Sequence, residues 1–203
     1  MKKNRWFYQF VKAVLKPFVK LFFPYEVKGV ENLKNIGGGH ILCSNHLSNM
    51  DPVFLIVIHP KQIYFMGKAE LFRNKLSKWF FSNMGAFAVE RGKNDKTAIN
   101  TALELLKTQN ILGLFIEGTR SKTGEFLRPK SGAAVLAYNT NSPVLPICIT
   151  GSGENNKVKM FKKTTISIGA PILINDLNIQ TETRLEFKHA TNLIMDSIKR
   201  LRT

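Results

Sequence analysis

Short apolar runs alternate with amphipathic segments along most of this 203-residue chain, and this alternation limits the folds available to it. The apolar runs have strand length, and the segments between them have helical periodicity. Strands that alternate with helices favour an α/β domain in which a largely parallel sheet is flanked by helices. We predict strands at 40–45, 62–67, 86–91, 111–118 and 143–150, one or two more at 164–174, and helices at 53–58, 68–84, 95–109, 131–139 and 183–201.

The length of the chain suits one well-buried core and is short for two full domains. We therefore expect a single catalytic domain over residues 25–203, preceded by an amphipathic helical segment at residues 1–24 that associates with a membrane. Polar clusters follow the ends of the predicted strands. Sites in parallel sheets gather at such strand ends, so these clusters are the first candidates for function.

The chain is strongly basic, with 30 Lys and Arg residues against 14 Asp and Glu and a net charge of +16. Such a balance favours negatively charged partners, among them nucleic acid, an anionic bilayer, phosphorylated substrates or an acidic protein. The two cysteines, Cys43 and Cys148, lie in apolar runs and are interpreted as reduced core residues. No run reaches the roughly 18 apolar residues of a membrane-spanning helix, and no secretory cleavage site follows the N-terminus.

The N-terminal segment has the pattern of an amphipathic helix without an acidic residue before Glu26. Aromatic groups spread widely around this helix, which favours a position in a membrane interface over packing on the protein's own core alone. Pro17 is expected to kink or split it. A second membrane-facing element is predicted at 68–84. The apolar residues at helical spacing are Phe7, Phe10, Val11, Val14, Leu15, Phe18 and Phe22, and the basic residues on another face are Arg5, Lys12, Lys16 and Lys20.

A histidine and an aspartate lie five residues apart after the first predicted strand. His46 follows the strand directly, and Asp51 is expected to cap the next helix, with Pro52 at its first position. A loop of this length can bring the carboxylate back onto the imidazole. The carboxylate would then fix the tautomer and leave the second ring nitrogen as a general base. A loop histidine beside a simple helix cap is the alternative.

A second polar cluster, residues 117–121, lies at the end of the strand predicted at 111–118 and follows its apolar residues 111–115. Its small residues let backbone N–H groups approach an anion, and the guanidinium of Arg120 suits phosphate oxygens. It lacks the glycine spacing and the Gly-Lys-Ser/Thr ending of a nucleotide-binding P-loop. Alone, the cluster is also compatible with an ordinary surface turn.

Taken together and in order, these segments resemble the 1-acylglycerol-3-phosphate acyltransferase family, the lysophosphatidate acyltransferases of phospholipid synthesis. Residues 45–51 resemble its Asn-His-x-Ser-x-x-Asp motif. Residues 66–72 match the stretch that usually follows, and 85–91, 117–121 and 144–147 match the second, third and fourth motifs. The resemblance covers roughly residues 25–170. The family usually has Pro where this chain has Ile116, a change expected to alter the rigidity of the turn.

The resemblance implies a general base, a partner for it, and a set of groups that bind a phosphate-bearing acceptor. His46 would be the base and Asp51 its partner. The expected acceptor-binding residues are Lys68, Arg91, Glu117, Gly118, Thr119 and Arg120.

The implied reaction moves a fatty acyl group from a thioester, acyl-CoA or acyl-carrier protein, to the sn-2 hydroxyl of 1-acylglycerol 3-phosphate, giving phosphatidic acid. No cofactor is expected beyond that co-substrate. No metal is expected either, because His40 and His59 do not complete a ligand pattern with His46. Ser48 is not expected to carry the acyl group, since no nucleophile elbow surrounds it. The expected location is the cytoplasmic face of the cell membrane, as a peripheral or monotopic protein.

Three other interpretations stay open from the sequence. Another acceptor, such as glycerol 3-phosphate or a different lysolipid, would use the same motifs. The basic charge would also suit a nucleic-acid-binding protein, although we find no zinc-finger or RNA-binding signature and expect no nucleic-acid partner. A membrane-bound module that has kept the fold and lost catalysis is the third, and the intact His46 and Asp51 argue against it.

Overall fold

The computed structural model describes residues 5–90 and 95–202. The strands are β1 (Tyr25–Lys28), β2 (Ile41–Ser44), β3 (Ile63–Lys68), β4 (Ala86–Val89), β5 (Ile111–Phe115), β6 (Val144–Gly151) and β7 (Thr164–Ile168). The helices are α1 (Arg5–Phe22), α2 (Asn32–Asn35), α3 (Asp51–Ile58), α4 (Lys75–Asn83), α5 (Lys96–Lys107), α6 (Gly132–Thr140) and α7 (Arg184–Arg200), with 3₁₀ turns at Ala69–Phe72, Glu154–Asn156 and Ile174–Leu177.

The strands form a single sheet in the order β1-β7-β6-β2-β5-β3-β4. Neighbouring strands are parallel at every pairing except that of β6 with β7, which is antiparallel. The predicted α/β domain with a largely parallel sheet flanked by helices is therefore confirmed. The central strand β2 is buried along its whole length, as expected for a parallel strand covered on both faces.

Helices cover both faces of the sheet and form two hydrophobic cores. On one face α5, α6 and α7 pack against alternate strand residues such as Ile41 and Cys43. On the other face α1 and α3 pack against the intervening residues, such as Leu42. Each large apolar side chain that is fully buried in this way contributes roughly 1.5–3 kcal/mol to folding. One helix layer therefore covers each face of the sheet, and the ends of the strands lie between the two layers.

The N-terminal helix packs on the core along one side and exposes apolar groups along another. Tyr8 and Val19 are buried. Trp6, Phe10, Val14, Phe18 and Leu21 are more than half exposed. The helix runs through Pro17 as one element, so Pro17 does not split it, and the predicted kink stays a prediction. No helix in the described part of the chain is long and apolar enough to cross a membrane.

Three local predictions differ from the structure. Asp51 is the first residue of α3 and not its N-cap, a position that Met50 occupies. The segment predicted as one helix at 68–84 is a 3₁₀ turn followed by α4, because the side chain of Asn74 accepts the backbone N–H of Ser77 and starts a new helix there. Lys12, predicted on an exposed basic face, turns inward and donates to the carbonyl of His59.

Candidate active site

The predicted site residues follow three parallel strands that end at one edge of the sheet. β5 lies between β2 and β3, and Ser44 at the end of β2 is opposite Phe115 at the end of β5. Residues 45–51 leave the sheet after β2, and residues 116–121 leave it after β5. Lys68 ends β3. The topology thus brings to one edge the segments that the sequence places far apart.

His46 and Asp51 form a hydrogen-bonded pair at this edge. The ring Nδ1 lies 2.7 Å from Asp51 Oδ2, and the same oxygen accepts the backbone N–H groups of Leu47 at 2.6 Å and Ser48 at 2.8 Å. An oxygen that accepts two backbone N–H groups is held as the acceptor for the ring as well, so Nδ1 carries the proton. The ring Nε2 is then left with a lone pair that can take a proton.

The His46 ring is fixed by its neighbours on two sides. It stacks on Phe115, with ring centroids 3.9 Å apart and planes within 13°. The backbone carbonyl of His46 accepts the N–H of Ser121 at 2.8 Å, which holds the backbone from which the ring extends. The side chain of His46 is 8% exposed, so most of the ring is held by packing. A ring held in this way loses little orientational freedom when a ligand binds.

The side-chain amide of Asn45 connects this loop to the middle of the sheet. Its Nδ2 donates to the carbonyl of Ile149 at 2.9 Å, and its Oδ1 accepts the N–H of Ile149 at 2.8 Å. Asn45 therefore pairs with β6 as a strand residue would, although its backbone has already left β2. Asn45 is the first residue of the Asn-His-x-Ser-x-x-Asp motif, but the sequence predicted no role for it.

The turn after β5 begins with a buried carboxyl. Glu117 is 2% exposed, and its oxygens lie near the backbone N–H groups of Leu127 and His46 without forming a hydrogen bond of good geometry to a described group. Burial raises the pKa of this carboxyl from its ordinary 4.5 to about 7, although the nearby backbone N–H groups of Leu127 and His46 act in the opposite direction. The side chain points into the protein. Glu117 is therefore buried within the turn, and its predicted contact with the acceptor stays a prediction.

The residues after Glu117 face solvent. Gly118 has φ of +69°, a conformation that favours glycine, and Thr119 is exposed. Arg120 is exposed and donates to Asn49 Oδ1 at 2.9 Å, which links the turn after β5 to the loop of His46. Lys68 is also exposed.

Arg91 lies outside the described residues, so its predicted place beside the acceptor is a prediction only. Ile116, which replaces the usual Pro, donates its N–H to the carbonyl of Ser44 at 3.0 Å. A proline could not make this bond. The substitution therefore extends the pairing of β5 with β2 by one hydrogen bond.

Arg202, near the C-terminus, braces the segment that follows the turn. Its guanidinium lies 3.7 Å from the centroid of the Phe126 ring, donates to the carbonyl of Gly124 at 2.8 Å and lies 3.7 Å from a carboxylate oxygen of Glu125. No sequence motif indicated this contact, because it joins residues about 78 positions apart.

Ser48 has a local role in the loop that carries His46. Its hydroxyl accepts the N–H of Met50 at 3.1 Å and so helps to shape this loop.

Two further groups of potentially reactive side chains are buried away from this edge. Burial raises the pKa of the Cys43 thiol to about 12, which makes it unreactive. The rings of His40 and His59 lie 5.5 Å apart, and burial lowers the pKa of both. Within residues 5–90 and 95–202, no three His, Cys, Asp or Glu side chains are arranged to hold a metal ion.

A hydrogen-bonded histidine and aspartate lie at the strand ends of an α/β sheet, beside an arginine-bearing turn, and the comparisons assign this chain to the acyltransferases. Residues 24–150 match the acyltransferase family. The chain is 34% identical over 166 residues to the 1-acyl-sn-glycerol-3-phosphate acyltransferase of Bacillus subtilis. The aligned residues cover 81% of this chain and 82% of that protein. It is 28% identical over 173 residues to the enzyme of the same name from Streptococcus pneumoniae, covering 84% and 63%.

The fold agrees with the same assignment. The crystal structure of the 1-acyl-sn-glycerophosphate acyltransferase from Thermotoga maritima superposes with a TM-score of 0.72 at 25% identity, covering 99% of this chain and 83% of that one. The chain belongs to the 1-acyl-sn-glycerol-3-phosphate acyltransferase family. The family resemblance seen in the sequence is confirmed.

Proposed function

We propose that this protein transfers a fatty acyl group from a thioester, acyl-CoA or acyl-carrier protein, to the sn-2 hydroxyl of 1-acylglycerol 3-phosphate, giving phosphatidic acid. The observation that carries the proposal is the contact of His46 Nδ1 with an Asp51 oxygen that two backbone N–H groups also hold. This arrangement leaves Nε2 as a base at the mouth of the site. The names of the relatives supply the substrate class.

In the proposed reaction His46 Nε2 takes the proton of the acceptor hydroxyl as its oxygen attacks the thioester carbonyl. A C–O bond forms and the C–S bond breaks. The leaving thiolate then takes the proton from the imidazolium, which returns the ring to its starting state. Asp51 stabilises the imidazolium in between. General-base catalysis of this kind contributes roughly 10²–10⁴-fold to the rate.

The phosphate of the acceptor would bind beside the turn after β5. Arg120 offers a planar pair of donors to phosphate oxygens, and Asn49 already holds its guanidinium toward the loop of His46. Gly118 and Thr119 belong to the same turn, and Lys68 adds a cation at the end of β3. Arg91 is proposed as a further cation. The buried Glu117 would keep the turn in shape from within.

The same proposal includes binding at an anionic membrane surface, on the cytoplasmic face. Its support is a continuous exposed apolar surface formed by α1 and α4. Trp6 is 76% and Trp79 is 51% exposed, and Phe7 joins the two helices through a ring contact with Trp79 at 4.9 Å. Lys16 and Lys20 are exposed on α1 and would contact anionic headgroups.

The activity is tested by incubating the purified protein with 1-acylglycerol 3-phosphate and each thioester, with products identified by mass spectrometry. We expect phosphatidic acid from the wild type and a rate that is roughly 10²–10⁴-fold lower from His46→Ala. His189→Ala, a substitution of an exposed histidine on α7, is the matched control and should keep full activity. Turnover of His46→Ala near the wild-type rate would refute the general-base role. Product only from glycerol 3-phosphate would identify the other acceptor.

Membrane binding is tested by sedimentation with vesicles of phosphatidylcholine and phosphatidylglycerol. Lys16→Glu/Lys20→Glu should lower the bound fraction, because each lysine near an anionic surface contributes roughly 1 kcal/mol. Lys96→Glu/Lys107→Glu on α5 changes the net charge equally on the opposite helix layer and should bind as the wild type does. Equal binding of both double variants would show that α1 does not face the bilayer.

A further inference from the structure

A basic cleft of about 860 Å³ lies between residues 128–131 and the first turns of α7. It opens on the helix layer formed by α5, α6 and α7, on the face of the sheet opposite to α1. Val135 and Phe187 give it an apolar wall. Its volume lies in the range of pockets that hold small-molecule ligands. The exposed apolar surface of α1 and α4 is thus on one side of the strand ends and this cleft is on the other.

Four cations line the cleft without neutralising partners. Arg128, Lys130, Arg184 and Lys188 are all exposed, and none makes an ion pair within the described part of the chain. Glu182 is the single carboxylate among the described lining residues, and it accepts a hydrogen bond from the Tyr138 hydroxyl at 3.1 Å.

Two of these cations repel each other along a single helix. Arg184 and Lys188 are four residues apart on α7, where like charges disfavour each other. Nothing in the folding of α7 requires them there, since a capping box of Thr183 and Glu186 already stabilises its start. An anion bound between them would remove the repulsion. The charges of the cleft therefore fit a ligand that carries phosphate.

The cleft adjoins the candidate active site through Lys130. The backbone N–H of Lys130 donates to the carbonyl of Ile116 at 2.8 Å. Its side-chain carbons lie so close to Gly118 that a Cβ on that glycine would meet them at 3.0 Å. The side chain of Lys130, including its ammonium nitrogen, therefore lies against the turn after β5, and Lys130 also lines the cleft. A ligand in the cleft can extend an arm along this turn toward His46.

We propose that this cleft binds the phosphate end of the acyl donor, a thioester on a phosphopantetheine arm. The inference rests on the proposed function. The lipid acceptor has its membrane surface at α1 and α4, whereas the carrier of the acyl group is water-soluble and anionic and so reaches the strand ends from the opposite layer. Arg128 and Arg184 offer bidentate donors to its phosphate. Phosphopantetheine is shared by coenzyme A and by acyl-carrier protein, so the cleft serves either source.

The test is a charge reversal on α7, Arg184→Glu/Lys188→Glu, with initial rates measured against each substrate in turn. We expect the KM for the thioester to rise at least tenfold, while kcat and the KM for the acceptor stay within twofold. Lys107→Glu/Arg200→Glu is the matched control, because both residues are exposed, one of them is on α7, and the net charge changes equally. An unchanged donor KM, or an equal rise in the control, would overturn the proposal.

Two inhibitors identify the group that is recognised. 4′-Phosphopantetheine should compete with the donor in the wild type at least tenfold better than pantetheine, and this difference should disappear in Arg184→Glu/Lys188→Glu. Equal inhibition of the wild type by both compounds would overturn the assignment to phosphate. Stronger inhibition by coenzyme A than by phosphopantetheine would add the nucleotide phosphates to the ligand, whereas equal strength would assign the pantetheine phosphate alone.

If the wild type transfers no acyl group from either thioester, the proposed function fails. Equilibrium binding of free coenzyme A, measured by calorimetry on the same proteins, then tests the cleft by itself. Binding to the wild type that is lost in Arg184→Glu/Lys188→Glu supports the cleft, and binding that survives in the double variant overturns it.

Discussion

Replacing Glu117 by Gln should remove a pH dependence of stability that comes from one buried carboxyl. In the wild type this group is 2% exposed, and neither oxygen forms a hydrogen bond of good geometry to a described group. Burial of a carboxylate without partners is costly, so the folded protein keeps the proton to a higher pH than the unfolded chain does. Gln has nearly the same shape and no proton to lose.

The size of the effect follows from the pKa of Glu117, which burial raises from 4.5 to about 7. Below pH 4.5 the carboxyl is protonated in both states and contributes no difference. As the pH rises from 4.5 to 7 the unfolded chain ionises first, and the free energy of unfolding of the wild type falls. The total loss is about 3 kcal/mol and is complete once the pH has passed through 7.

The assay is urea denaturation of the wild type and Glu117→Gln between pH 4.5 and 8.5. The difference in unfolding free energy should change by about 3 kcal/mol across this range, in favour of Glu117→Gln at high pH. Glu154→Gln, a substitution of an exposed carboxylate, is the control and should run parallel to the wild type. If the Glu117→Gln curve also runs parallel, the carboxyl is not held protonated by burial and the reasoning is wrong.

Three further substitutions test other parts of the structure. Asn45→Ala should cost roughly 3 kcal/mol and lower kcat, since it leaves two buried backbone groups of β6 unpaired; denaturation and steady-state rates measure both. Ile116→Pro should cost roughly 1 kcal/mol through loss of the bond to Ser44, whereas unchanged stability would mean that this bond is dispensable. His59, whose pKa burial lowers from 6.5 to about 4, stabilises the fold above pH 6.5, so the wild type should lose about 3 kcal/mol more than His59→Gln as the pH falls to 4.

Much of the fold could be predicted from the sequence because its elements are long or strongly patterned. The helix predicted at 95–109 is α5, Lys96–Lys107, and the strand predicted at 143–150 is β6, Val144–Gly151. β1, Tyr25–Lys28, was missed. It has four residues that are half-buried or exposed at the edge of the sheet, so neither alternation nor a continuous apolar run marks it.

The candidate site also combines contacts that the sequence predicts with contacts that it does not. The contact between His46 and Asp51 follows from five residues of chain and could be predicted. The stacking of Phe115 on His46 depends on the pairing register of β2 with β5, which no local pattern reveals. The inward orientation of Glu117 depends on packing around the turn, and a motif gives the identity of a residue but not its exposure. The roles of these residues in catalysis stay predictions.

The amide of Asn45 has a consequence for how the enzyme is expected to lose activity on heating. Because it joins the loop of His46 to the interior of β6, this loop cannot open locally without breaking hydrogen bonds in the middle of the sheet. The N–H of Ile149 should therefore exchange with deuterium only through global unfolding. Thermal inactivation should accordingly coincide with the melting of the whole domain, with no earlier phase in which the protein is folded but inactive.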